Sequence, residues 1–369
     1  MDREPSRRDL LAAGGALGAL ALANCGASSV SQVKDASPPV RDPTLAALLA
    51  KNRENHPVYG GGLANHLSME LCALAALGAT AQRLNEFSAD YSKRLTPFPG
   101  GGVKIARDNW RAQLRNDGAL HGFAQYFESE LRSRGRDVVL REVLEVFAPT
   151  VSSELFHCMI RTAYGVQFDD DAEIAHGLAY WAIMQESLGA LGSGAGSEHD
   201  FAALLARVRE TPALAKAQLT GNSNPGRMLQ ASRLDGFAAL VDSFAADDKA
   251  LDSVARASLE LYAATRSFVA LHAVTSTHAL RILLPYFPDR ALAVRYQAQA
   301  LIAAYIRMGA PAIEAQSAAD APAWEPTVAK AVASADDHDA KFVYACRDEQ
   351  SARGGDLYRV AAARRVDRA

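Results

Sequence analysis

The stretch Phe268–Pro285, FVALHAVTSTHALRILLP, constrains the fold more than any other part of the chain. It has the length and spacing of a helix, ends in a proline, and is apolar nearly all round. Such a helix is stable only when other elements cover it on most sides. Two histidines, His272 and His278, interrupt the apolar run. A buried imidazole needs a partner, so the rest of the chain must supply one for each ring. Six residues turn a regular helix by about 240°, which leaves the two rings pointing roughly 120° apart. They cannot easily serve one ion, so a ligand role for one goes with a structural or outer role for the other.

The covering elements are predicted to be helices. From Asp42 onward apolar residues recur at three- and four-residue spacing. Helices are predicted over 43–53, 64–77, 79–94, 117–133, 136–147, 151–164, 171–190 and 199–209, then over 234–245, 247–266, 267–284, 289–308, 325–334 and 336–349. Residues 211–233 read as a long irregular connection suited to a lid. No run of alternating β-branched residues is present, so the expected fold is all-α. A 49% hydrophobic and 22% charged composition is that of a globular protein. One large multi-helix domain over 42–369 is expected, with a buried pocket between helices. The glycine-rich stretches at 60–62, 100–102 and 192–196 follow no predicted strand and read as helix-joining loops rather than phosphate cradles.

The N-terminus has a different character. Ser6–Leu11, SRRDLL, resembles a twin-arginine export signal, and an Ala/Leu/Gly run follows to Cys25. This predicts a signal peptide over 1–25 and export to the periplasm. Leu22–Cys25 also resembles a lipobox, with Asn24 atypical before the cysteine. Lipidation of Cys25 would make the product a membrane-anchored lipoprotein. Residues 26–41, small and polar with Pro38 and Pro39, read as a flexible leader. Beyond it Cys72, Cys158 and Cys346 form no CxxC pair and read as core residues. The formal net charge of -3 and the scattered basic residues argue against nucleic-acid binding.

Of the nine histidines, His56, His121 and His199 stand in polar surroundings and read as exposed, and His176 reads as structural. His66, His157 and His272 lie in apolar helical contexts, and His338 stands near a helix start. Glu70 follows His66 by one turn, Glu154 and Arg161 flank His157, and Lys341 follows His338 on the same face. The Asp336–Asp337 pair suits a helix N-terminus. No HxxxH or HExxH spacing occurs, so a metal site would have to draw single ligands from several helices. Taken singly, each such histidine is more commonly a hydrogen-bonded core residue.

Five segments in order carry a resemblance. They are Asn65-His66 with LSMELCALAALGA, then LNEFSADYSKRL, then LFHCMIRTAYGVQF with EIAHGLAYWA, then LHAVTSTHALRILLP, and finally DDHDAKFVYAC. Through them the chain resembles the questin oxidase-like family, which includes fungal enzymes that oxygenate and open anthraquinone-type rings. The resemblance runs from about His56 to Cys346 and implies an oxygenase, hence an oxidoreductase, acting on a small hydrophobic or aromatic, quinone-type substrate.

Some members of that family are Baeyer–Villiger-type enzymes that use NADPH and dioxygen. At least one resembles a non-heme iron dioxygenase with four histidines and a carboxylated lysine on the metal. Carried over by motif, this implies His66, His157, His272, His338 and Lys341 as ligands of Fe(II), with dioxygen as co-substrate. It leaves His278, Glu70 and Arg161 as candidate catalytic residues beside that set. A lysine must be neutral to form a carbamate, so Lys341 would need a lowered pKa. Departures from the family pattern stand at Met69, Glu70 and Arg161, where further histidines are expected, and His278 stands in compensation. No strand–GxGxxG–helix unit exists to hold NADPH in the usual way. Two alternatives are an NADPH-dependent Baeyer–Villiger-type monooxygenase without metal and a non-catalytic helical protein that binds a hydrophobic ligand.

Overall fold

The structure is a computed structural model that describes residues 42–247 and 249–367. The export-type segment, Cys25 and the leader over 26–41 lie outside the described residues. The chain opens with α1 (Pro43–Asn52), then a small hairpin of β1 (Val58–Tyr59) and β2 (Leu63–Ala64) turned by Gly60–Gly62. The first half continues with α2 (Leu67–Ala76), α3 (Ala81–Tyr91), α4 (Leu120–Arg134), α5 (Arg136–Phe147), α6 (His157–Gln167) and α7 (Asp171–Ile183). Next come α8 (Phe201–Glu210), α9 (Pro212–Ala215), α10 (Asn224–Ala231), α11 (Phe237–Asp242) and α12 (Ala250–Thr265). The last part holds α13 (Phe268–Leu283), α14 (Arg290–Arg307), α15 (Trp324–Ala333), α16 (Asp339–Arg353) and α17 (Leu357–Val366). The fold is all-α apart from that hairpin.

The helix α13 is the centre of the packing. Ser267 caps its start by accepting from the Val269 N–H at 3.2 Å, and Pro285 lies just past its end. It packs against α6, α12, α14 and α16. By length and hydropathy Phe268–Tyr286 could cross a membrane, yet 72% of that apolar window is buried inside the fold. It is a core helix, and it brings His272 and His278 into the interior.

Two other features place the site. On α6 a Cβ at Gly165 would lie 2.7 Å from the Ile174 nitrogen of α7, and on α7 one at Gly177 would lie 2.8 Å from the Thr162 hydroxyl of α6. Only glycine at both positions lets these helices cross so closely. Before α6, Glu154, Leu155 and Phe156 take φ values of 52°, 53° and 70°, three successive non-glycine residues in the left-handed region. Each costs about 1–2 kcal/mol, and such conformations persist where the surroundings enforce them. They make His157 the first residue of α6.

Several helix limits differ from the sequence reading. The helix predicted over 151–164 starts at His157, because the left-handed turn occupies its first part. The one predicted over 171–190 ends at Ile183. Residues 211–233 are not wholly irregular, since α9 and α10 form within them, each opened by a proline in its first turn. The terminal α17 was not predicted. Cys72, Cys158 and Cys346 are buried and unpaired, as expected, whereas His56 and His121 are half-buried rather than exposed.

Candidate metal centre

Four imidazoles meet between the start of α2, the start of α6, the first turns of α13 and the start of α16. His66 Nε2 lies 2.7 Å from His157 Nε2, which lies 3.1 Å from His272 Nε2. The ring of His338 stands edge-on to His66 and His272, with centroids 4.5 and 5.4 Å apart. All four rings are buried.

What the other ring nitrogens do decides the chemistry. Asp337 receives His66 Nδ1 and His338 Nδ1, each at 2.9 Å. The Nδ1 of His272 meets the Phe268 carbonyl at 2.8 Å, and that of His157 meets the Glu154 carbonyl inside the left-handed turn. A carbonyl or carboxylate only accepts, so each Nδ1 carries the proton, and in a neutral ring each Nε2 then presents a bare lone pair. Adjacent lone pairs stand 2.7 Å apart from His66 to His157 and 3.1 Å apart from His157 to His272, His338 Nε2 is buried with no hydrogen-bond partner, and His66, His157 and His338 offer ligand atoms all within 4.8 Å of one another. Lone pairs repel at that range, and a cation relieves them. Ligands at right angles, each about 2.1 Å from one ion, stand about 3.0 Å apart. The trio His66, His157 and His338 fits a metal ion, and His272 stands next to it through His157.

The electrostatics agree. Burial pushes the His66, His157 and His272 pKa values well below the usual imidazole range, with Lys341 and neighbouring rings adding to the shift. Asp337 is raised by burial alone, but hydrogen bonds from His338 and His66 hold it far below the carboxylate range. It stays anionic and keeps both rings in one tautomer.

This makes a stability prediction. Folded pKa values below the unfolded value of about 6.5 mean that the unfolded chain takes up protons the fold cannot. Metal-free protein should therefore lose stability as pH falls below about 6.5, by up to about 1.4 kcal/mol per pH unit for each imidazole. Thermal melts of the chelated protein check this. A melting temperature unchanged down to about pH 5 would contradict it.

Lys341, buried on α16, lines a small cavity together with His157, Ile160, Tyr164, Leu271, His272, Thr275 and His338. Burial lowers its pKa against the pull of Asp337 and Glu70. The cavity measures about 10 Å³, room for one water-sized guest and not for an aromatic ring. On the outer side Phe268, 47% exposed, lays its ring against His272 and His338 at centroid distances of 4.5 and 5.1 Å.

The profile of the questin oxidase-like family matches residues 63–346. The chain belongs to this family. Among family relatives, a Baeyer-Villiger oxidase of Paecilomyces divaricatus is 25% identical over 185 residues, 46% of this chain and 38% of the relative. A Baeyer-Villiger oxidase of Emericella nidulans is 28% identical over 207 residues, 49% of this chain and 46% of the relative. A questin oxidase of Aspergillus fumigatus is 25% identical over 164 residues, 41% of this chain and 37% of the relative. The matched stretch spans less than half the length of each. The site helices α2, α6 and α13 lie within the family match, which extends into α16 as far as Cys346.

The three candidate catalytic residues of this questin oxidase-like chain stand apart from the imidazole lone pairs. Glu70 accepts from the backbone N–H groups of Ala340 and Lys341 at 3.2 and 3.1 Å, so it caps the first turn of α16 instead of reaching the rings. His278, turned away from His272, meets Asp348 at 2.9 Å, and Arg281 pairs with both Asp348 and Glu349. Although His278, Asp348 and Glu349 have metal-ligand spacing, the guanidinium already serves the two carboxylates. Arg161 is committed to Glu173 at 2.7 Å, both side chains fully buried.

That ion pair ties α6 to α7. Removing one member of a buried pair leaves the other charge stranded, so Arg161→Ala is expected to destabilise the protein by about 3–5 kcal/mol. Denaturant unfolding measures it, and a loss below about 1 kcal/mol would show that Arg53, 3.7 Å from Glu173, replaces the missing partner.

Two residues of interest escaped the sequence reading. Asp337 read as helix-end charge, and its contact with His66 spans 271 positions, which no local pattern reveals. Tyr164 sits two helical turns after His157 on one face, a spacing that could have marked it.

Proposed function

We propose that this chain is an oxygenase that holds Fe(II) among His66, His157, His272 and His338 and inserts dioxygen-derived oxygen into an aromatic or quinone-type substrate. The observation that supports it most is the convergence of Nε2 lone pairs whose Nδ1 protons are all engaged elsewhere. Imidazole donors suit Fe(II), and Lys341, held towards its neutral form, would add an anionic oxygen donor if carboxylated. Bound there, the ion would supply one-electron chemistry with dioxygen. The chain's own part is to fix the four rings, exclude bulk water, and offer Phe268 as an apolar surface beside the site. The cavity admits nothing ring-sized. The substrate therefore meets the site from the Phe268 side, or after that wall moves.

The relatives' name, Baeyer-Villiger oxidase, favours a second reading: insertion of one oxygen atom next to a carbonyl with NADPH as reductant and no metal. Labelled dioxygen separates the two. With iron-loaded protein and an anthraquinone-type substrate, the proposal expects both atoms of one dioxygen in the product without NADPH, and no label after chelation. Label that depends on NADPH and survives chelation would replace it with the second reading. No product under either condition would support a helical protein that binds a hydrophobic ligand without chemistry. Attachment through Cys25 and export by the twin-arginine route belong to the same proposal, and secretion of a reporter fused to residues 1–41 tests them.

A further inference from the structure

Two residues that line the cavity beside the imidazoles carry polar atoms whose hydrogen-bonding demand is unfilled. The ring nitrogens of His157 and His272 are all in contact with other groups, and the Thr275 hydroxyl donates to the Leu271 carbonyl at 3.2 Å. Two atoms of residues in the same lining are buried without any partner, His338 Nε2 and the Tyr164 hydroxyl. Leaving a buried hydroxyl unpaired is costly, and a phenylalanine would fill the same space without that cost. Nor is the ring free to swing out. Phe168 stacks on it at 5.9 Å, and Tyr344 and His278 pack around it at 6.0 and 6.4 Å. Burial pushes its pKa well above the usual phenol range, so the oxygen keeps its proton and acts as a donor. The cavity that Tyr164 helps to line takes one water-sized guest.

We propose that Tyr164 donates a hydrogen bond to a small ligand held between it and the imidazole cluster, and thereby orients that ligand. The inference rests on the metal-centre reading above. A fixed donor in a water-poor cavity is worth more than one in solvent, because nothing reorganises when charge develops on its acceptor. Dioxygen and its diatomic surrogates are the ligands of such a centre closest to that size.

Nitric oxide is the probe. Protein loaded anaerobically with Fe(II) is titrated with it, and binding is followed by absorbance and electron paramagnetic resonance. Tyr164→Phe is expected to keep full iron stoichiometry and bind nitric oxide about 5- to 10-fold more weakly, the weight of one hydrogen bond. Tyr180→Phe, which removes a buried hydroxyl outside the cavity lining, should leave affinity unchanged. Should Tyr164→Phe fail to fold, 3-fluorotyrosine at position 164 keeps the ring and strengthens the donor, and is expected to tighten binding. Wild-type affinity and an unchanged resonance signal in iron-replete Tyr164→Phe, or in the fluorotyrosine protein, would overturn the assignment of Tyr164 alone. Failure of the wild-type protein to take up iron would instead refute the metal centre, and the role of Tyr164 with it.

Discussion

Protein carrying His157→Ala is expected to fold and to lose stoichiometric iron. His157 Nε2 is the middle member of the lone-pair chain, within 2.7 Å of His66 and 3.1 Å of His272. Its removal takes away one donor and unfastens the contact that pins the left-handed turn, the one from His157 Nδ1 to the Glu154 carbonyl. Loss of an outer partner of a ligand already costs about 10- to 100-fold in metal affinity, so loss of the ligand should cost at least about 100-fold. Metal analysis after anaerobic Fe(II) loading reads the effect, with circular dichroism as the check on folding. Wild-type iron content in a folded His157→Ala protein would show that the ring is a core hydrogen-bonder.

The second large effect is expected at Asp337, which never approaches the Nε2 cluster itself. One carboxylate receives the Nδ1 groups of both His66 and His338, each at 2.9 Å. In Asp337→Asn the amide can still accept from one ring but presents an N–H to the other. That ring then favours the opposite tautomer and turns an Nε2–H towards the centre, the fault that loss of an orienting carboxylate produces in other histidine sites. Iron affinity should fall about 10- to 100-fold with little change in helical content. A competition titration against a chelator of known affinity measures this. An Asp337→Asn protein that binds iron as tightly as wild type would mean that the two rings are oriented by packing alone.

How much of this was legible in the sequence depends on whether the controlling interaction is local. The central helix was readable because an apolar stretch as long as Phe268–Leu283 has few other stable fates. The divergence of His272 and His278 was readable too, since helical geometry alone sends one ring to the imidazole cluster and the other to Asp348. The start of α6 was not. Glu154, Leu155 and Phe156 hold no glycine or asparagine to announce a left-handed turn, and their apolar spacing continues that of the helix. Glu70 shows a different failure. Sequence places it one turn from His66, but it points to the N–H groups of α16, a helix far along the chain. Asp337 and Arg161 fail for the same reason, because their partners are chosen by tertiary packing.

The family match fits this division. Residues 63–346 match the questin oxidase-like family, and within them the fold gathers His157, His272, His338 and Lys341 around one small cavity, with His66 against His157 beside it. Departures at Met69, Glu70 and Arg161 lie outside that cavity's lining. Met69 is simply buried core. Arg161 and Glu70 serve helix packing, so the changes need not alter the donor set.

The central claim is that the four Nε2 atoms share one iron ion. Anomalous diffraction at the iron absorption edge, from crystals of protein loaded with Fe(II) and verified as active before crystallisation, tests it most directly. The predicted result is a single peak enclosed by the Nε2 atoms of His66, His157, His272 and His338. Active crystals with no peak among those atoms would contradict the account.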